Sequence, residues 1–158
     1  MRDLKLDRYD IRILEEIQND GRISRIELGE RINLSPSQCY RRLKLMEDAG
    51  LIDRYIAVLD REKAGFDISA IVMVKCSTSG SDVRNEVIAL INSLDEVLEG
   101  YGTTGEYDLL LKVYCPNMKS FTNLITNHFQ VEFIADMHSY IMTDCFKFNT
   151  QLPIKLNK

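Results

Sequence analysis

The chain has no tryptophan, only two histidines, three prolines and four cysteines in its 158 residues. The cysteines, at 39, 76, 115 and 145, are scattered and make no C-x-x-C pair. That spacing supports neither a zinc site nor a disulfide framework. Isolated cysteines at apolar positions read instead as small core residues in a reducing compartment. No apolar run approaches the roughly 18 residues of a membrane span, and the start, Met1-Arg2-Asp3-Leu4-Lys5, lacks the apolar core of a signal peptide. A cytoplasmic location is the expectation. There is no phosphate loop, metal spacing or nucleophile elbow. The sequence therefore gives no catalytic constellation, and neither an enzyme nor a metal or cofactor site is expected.

An excess of positive charge is missing too. The net charge is −4, with 11 Lys/Arg against 12 Asp/Glu in residues 1–60 and 9 against 12 in residues 61–158. Apolar residues at 45% and charged ones at 28% describe a globular chain with enough material for a core. Nucleic-acid binding must rest on local placement, and one stretch offers it. From Arg31 to Met46 there are four cations and no acid.

Within that stretch a helix is written with its start in full. Ser35 is a good N-cap, Pro36 falls at the first helical position, and Gln38 closes a Ser-x-x-Gln capping box with a Leu34/Cys39 staple. Cys39, Leu43 and Met46 make the apolar stripe. Ser37, Gln38, Arg41 and Lys44 occupy the opposite side, with Arg42 at its margin. A cationic helix face is often only a solvated surface, and Arg42 has a competing use in an ion pair with Glu47 or Asp48. The preceding segment alters the balance. Ser24-Arg25-Ile26-Glu27 is a second capping box, opening a helix with Ile26, Leu28 and Ile32 as its apolar positions and ending at Asn33. Two short helices joined so tightly form a helix-turn-helix, whose second member enters the major groove.

An earlier helix starts at Asp7, uses Ile13, Leu14 and Ile17 as its buried face, and ends at Asn19-Asp20-Gly21, with Gly21 expected to be left-handed. After Gly50, residues 51–60 read as a strand, either a wing placing Arg54 near phosphates or a connector. From residue 66 the pattern changes. Strands are expected at Ile68 to Cys76, Val97 to Gly102, Tyr107 to Tyr114 and Ile134 to Phe148, with a Ser79-Gly80-Ser81 break after the first. Amphipathic helices are expected through Val83–Leu94 and after Pro116-Asn117. The order is the ferredoxin-like βαββαβ unit, whose helices cover one sheet face and leave the other for a second copy of the chain. The fold class is thus α+β, with a winged helix-turn-helix in 1–60 and a ferredoxin-like domain in 61–158. The tail from Asn149 shows no periodicity and reads as an extended strand or arm.

Three blocks, LDRYDIRILEEIQNDGRIS at 6–24, SPSQCYRRLKLMEDAGLI at 35–52 and GTTGEYDLLLK at 102–112, resemble the leucine-responsive regulatory protein/AsnC family of feast/famine regulators. Met46 departs from the family's usual Leu, a swap compatible with a core. The resemblance implies a prokaryotic, nucleoid-associated transcription regulator that dimerises, often assembles to octamers, and commonly responds to amino acids. It carries DNA contacts to Ser35, Ser37, Gln38, Tyr40, Arg41, Arg42 and Lys44. Arginine can fork onto guanine and glutamine onto adenine, while a serine at a helix N-terminus suits phosphate. It carries an effector site to the hairpin Gly102, Thr103, Thr104, Gly105, Tyr107 and Asp108, with Ile141 and Met142 toward the effector's side chain. There Gly105 allows close backbone approach, and Asp108 can pair with an α-ammonium group. A plain turn with a hydrogen-bonded Asp explains the same residues. A branch resembling the family decarboxylates siroheme, but this chain lacks the basic and imidazole groups for it. An effector-independent DNA-compacting role is the alternative to regulation.

Overall fold

A computed structural model describes residues 5–77 and 80–155. Ser79 of the expected break, residues 1–4 of the start and residues 156–158 of the tail lie outside the described residues. The chain packs as two units, one running to Val58 and resuming at Lys147, the other Leu59–Phe146.

The first unit holds α1 (Arg8–Asn19), α2 (Arg25–Ile32) and α3 (Pro36–Asp48). Each start follows from its cap. Asp7 accepts the N–H groups of Tyr9 and Asp10, and the Asp10 carboxylate accepts the Asp7 N–H in return. Ser24 accepts the Glu27 N–H, but the expected return bond is not made, because the Glu27 carboxylate faces Arg31 at 2.7 Å. Ile13, Leu28, Ile32, Cys39 and Met46 close the core. Ile26, expected among the apolar positions of α2, is 64% exposed, and Gly29 is buried in its place. A Cβ on Gly29 would stand 2.5 Å from the Leu34 carbonyl oxygen, so only glycine lets the turn fold back this closely. Asn33 turns the chain in the left-handed conformation, at φ 59°.

Two expectations fail here. Gly21 is not left-handed; α1 stops at Asp20, which is extended and accepts the Arg22 N–H on its own carboxylate at 2.9 Å. Residues 51–60 form no strand either, since no neighbouring strand among the described residues supplies a ladder. No wing ladder is built among the described residues, which leaves the connector reading of this segment, and Ile56, Val58 and Leu59 remain exposed. The tail returns to this unit as an arm. Gln18 brackets Leu152 by donating to its carbonyl at 3.3 Å and accepting its N–H at 2.6 Å, Gln151 bonds Asn19 at 2.6 Å, and Ile154 packs on the core.

In the second unit, β1 (Ile68–Cys76), α4 (Ser81–Asn92), β2 (Val97–Gly102), β3 (Leu109–Cys115), α5 (Met118–His128) and β4 (Ile134–Ile141) follow the βαββαβ order. The sheet is antiparallel with strand order β2-β3-β1-β4. Alternation decides its faces. Ala70, Val72 and Val74 with Leu109, Leu111 and Val113 bury against Val87, Ile91, Phe121 and Leu124 of the helices. On the other face Met73 lies opposite Leu110 and His138, and Ile71 opposite Lys112 and Tyr140. β4 ends seven residues before the expected Phe148, because Ile141 pairs with Ala70 and Met142 donates to Ser69, close to the start of β1. Cys39 and Cys115 are buried as expected, whereas Cys145 is exposed.

Candidate DNA-binding and effector sites

Helix α3 buries Cys39 and Met46 and turns Ser37, Gln38, Tyr40, Arg41 and Lys44 outward. Its cap organises the polar end. The Ser35 hydroxyl accepts the Gln38 N–H at 3.3 Å and stands 3.1 Å from the Ser37 hydroxyl. Gln38 Oε1 accepts the Ser35 N–H at 3.0 Å, so half of the amide expected to fork onto adenine serves the cap, and its Nε2 is the end left to donate outward. Tyr40 is stacked by Arg25, whose guanidinium lies 4.1 Å from the ring centroid. Arg25 escaped notice in the sequence because the contact joins α2 to α3 and has no local spacing to betray it.

The cations divide sharply. Arg42 reaches α1 rather than Glu47 or Asp48, meeting Asp10 at 2.6 Å and Asp7 at 2.9 Å with its side chain 22% exposed. The hydrogen bond that Arg42 donates to the Asp10 carboxylate raises the Arg42 pKa. Burial pushes the Asp7 carboxyl up, but the N–H groups of Asp10 and Tyr9 and the Arg42 guanidinium bring it below its ordinary value. Lys44 pairs with Asp48 at 2.9 Å, Arg31 with Glu16 and Glu27, and Arg54 with its neighbour Asp53 at 3.3 Å. Arg41 is exposed and makes no ion pair with a described residue. It is the guanidinium of α3 open to an outside partner.

In the second unit the hairpin between β2 and β3 is tied from inside. Thr103 donates its N–H to the Asp108 carbonyl at 2.9 Å and its hydroxyl to the Tyr107 carbonyl. Asp108 Oδ2 accepts the Cys76 N–H at 2.8 Å, where β1 shifts register against β4. Thr104 and Gly105 form the exposed tip, with nothing within 4 Å of a Cβ placed on Gly105. Tyr107 is buried; its hydroxyl bonds His138 Nδ1 and lies 3.1 Å from Asp136, with the Tyr107 and His138 rings edge-on at 5.3 Å. Neither Asp136 nor His138 was singled out, since only the β1–β4 register brings them to the hairpin. Arg84 was missed because only the packing of α4 against β2 brings it to the hairpin, where its Nη2 lies 2.5 Å from where a Cβ on Gly102 would stand. Ile141 and Met142 are not brought to this site within one chain. The hairpin joins the sheet at Val74 and Cys76, while Ile141 faces Ala70, four residues or about 13 Å down β1 from Val74.

A tight helix-turn-helix with an outward cationic recognition helix, followed by a ferredoxin-like sheet unit, defines a DNA-binding transcriptional regulator with a separate ligand-binding part. Residues 6–53 match the family described as winged helix-turn-helix DNA-binding, and residues 69–152 match the Lrp/AsnC ligand binding domain. The chain is 32% identical over 151 residues to the leucine-responsive regulatory protein of Salmonella typhimurium, covering 95% of this chain and 92% of the relative. It is 30% identical over 150 residues to the glutamate uptake regulatory protein of Zymomonas mobilis, with the same coverage. A transcriptional regulator from Neisseria meningitidis, solved in complex with L-Met, superposes with a TM-score of 0.90 at 35% identity, covering 94% of this chain and 96% of the other. The chain belongs to the Lrp/AsnC family of transcriptional regulators. No helix among the described residues is long and apolar enough to cross a membrane.

Proposed function

We propose that this regulator reads an operator with α3 as a cytoplasmic homodimer, and that a free amino acid bound at the second unit changes its grip on DNA. Arg41 is the observation that carries the DNA reading. It is exposed on α3 and makes no ion pair with a described residue, the state a guanidinium needs to fork onto guanine. Ser35, Ser37 and the Gln38 amide nitrogen sit at the positive end of α3 and suit phosphate or base edges. Tyr40 and Lys44 flank them, and Arg54 reaches phosphates from the extended segment. Arg42 is assigned to holding α1 against α3.

The dimer is supported by two surfaces unsatisfied in one chain. One is the outer sheet face with Ile71, Met73 and Leu110. The other is the extended 55–59 segment, exposed and without a ladder. Assembly to an octamer, a domain boundary near residue 60 and a nucleoid setting belong to the same proposal. For the effector, the ligand-binding match and the L-Met complex of the Neisseria relative support a free amino acid at Gly102, Thr103, Thr104, Gly105, Tyr107 and Asp108. Ile141 and Met142 would join from another protomer. The test is a thermal-shift screen of the twenty amino acids, since a ligand of the folded state raises its apparent stability, followed by footprinting on a selected operator. A footprint that changes with the stabilising amino acid supports a regulator. Identical footprints with and without it would leave a DNA compactor.

A further inference from the structure

Arg84 stands near the start of α4 with its guanidinium against the backbone of Gly102, the last residue of β2. Any larger residue at 102 would set its Cβ 2.5 Å from Nη2, so the missing side chain is what seats the arginine there. Arg84 is exposed and forms no ion pair with a described residue. It lines an open cleft of about 440 Å³ between α4 and β2, with Ile88, Leu98, Tyr101, Gly102 and Leu109 also in the wall. That volume falls in the range of small-molecule sites, and the lining sets aliphatic side chains beside polar ones, Arg84 among them. Two acids share the lining, Asp95 and Glu99, and Glu99 is already held by Lys112 at 2.8 Å.

The opposite charge lies close by. Gly102 pairs with Leu109, and the preceding residue, Asp108, carries a carboxylate with one oxygen on the Cys76 N–H. Burial raises the Cys76 thiol pKa, Asp108 raises it further, and Arg84 acts in the opposite sense, so both charges are felt at one sulfur. A guanidinium and a carboxylate flanking a glycine hairpin match the two charges of a zwitterion, and arginine is the side chain suited to bidentate carboxylate recognition.

We infer that Arg84 takes the α-carboxylate of the effector, whose side chain enters the cleft between α4 and β2. This rests on the amino-acid reading above and adds to it the residue that distinguishes an acid from its neutral derivative. The experiment is calorimetric titration of the full chain and its R84A and R84K variants with L-methionine, L-leucine and the amides of both. The wild type should prefer the acids. R84A should bind them at least ten-fold more weakly and lose the preference over the amides, with R84K recovering part of it. Gly102→Ala should push the guanidinium off its seat and weaken acid binding while leaving the melting temperature unchanged. That variant carries the test if R84A is poorly folded. R84A binding the acids as the wild type does, or acids and amides weakened equally by R84A and G102A, overturns the role of Arg84. A wild type that binds neither acid, nor any of the twenty amino acids in the thermal-shift screen, overturns the amino-acid reading itself.

Discussion

Arg41 and Arg42 are neighbours in sequence with opposite commitments, and the difference is geometric. A step of one residue turns a helix by about 100°, enough to carry Arg42 onto the acids of α1 while Arg41 stays outside. Arg41→Ala should therefore weaken operator binding by about 1–3 kcal/mol, the worth of a good bidentate base contact, and leave the melting temperature alone. Equal discrimination between operator and random DNA by both proteins would refute that role. Arg42→Ala should do the reverse. It strands Asp7 and Asp10 beside each other, costing on the order of 1–3 kcal/mol of stability, readable as a lower melting temperature. The same pair sets a pH limit. A carboxyl whose folded pKa lies below its unfolded value stabilises fully above the unfolded value, and loses that contribution as pH falls through the folded one. Asp7 is such a group, so acid titration of the wild type should show a loss of stability below about pH 4 that is smaller but still present in R42A, where the N–H groups of Asp10 and Tyr9 still hold the carboxylate.

At the scale of elements, the turn of the helix-turn-helix depends on a residue that the apolar pattern of α2 passes over. Alanine ordinarily favours a helix over glycine by about 1 kcal/mol. At position 29 its Cβ would meet the Leu34 carbonyl oxygen at 2.5 Å, and that oxygen belongs to the backbone and cannot swing away. Gly29→Ala should destabilise the fold by about 1–3 kcal/mol, the usual cost of overpacking; a raised melting temperature would show that the turn yields. The contrast with Ser35 is instructive. A cap is local chemistry, so Ser35, Pro36 and Gln38 announced α3 without tertiary knowledge, as Asp7 announced α1. Strand-forming runs bounded by turn residues likewise revealed β1, β2 and β3. The length of β4 was hidden, because a strand ends where its partner ends. Gly21 misled because Asp20 could close the helix with its own carboxylate.

For the whole molecule, contacts between distant segments were the part that the sequence could not display. Nothing near Leu152 or Ile154 names α1 as their place, and nothing near Tyr107 names Asp136 or His138. The 51–60 segment shows the converse, a sequence with strand character that finds no partner among the described residues. Ile56 is 69% exposed and Val58 58% exposed, so aspartate at both positions removes no packing from the single chain. If a second copy covers them, each loses burial worth on the order of 1.5–3 kcal/mol when fully covered, and two carboxylates per protomer enter the interface. The Ile56→Asp/Val58→Asp variant should keep its folded spectrum yet sediment as a monomer at concentrations where the wild type is a dimer. Because affinity falls with salt in proportion to the phosphates neutralised, the slope of log affinity against log salt should drop to about half. A dimer of unchanged dissociation constant would place the contact elsewhere. A monomer that kept the full salt slope would mean that one copy of α3 already makes every phosphate contact.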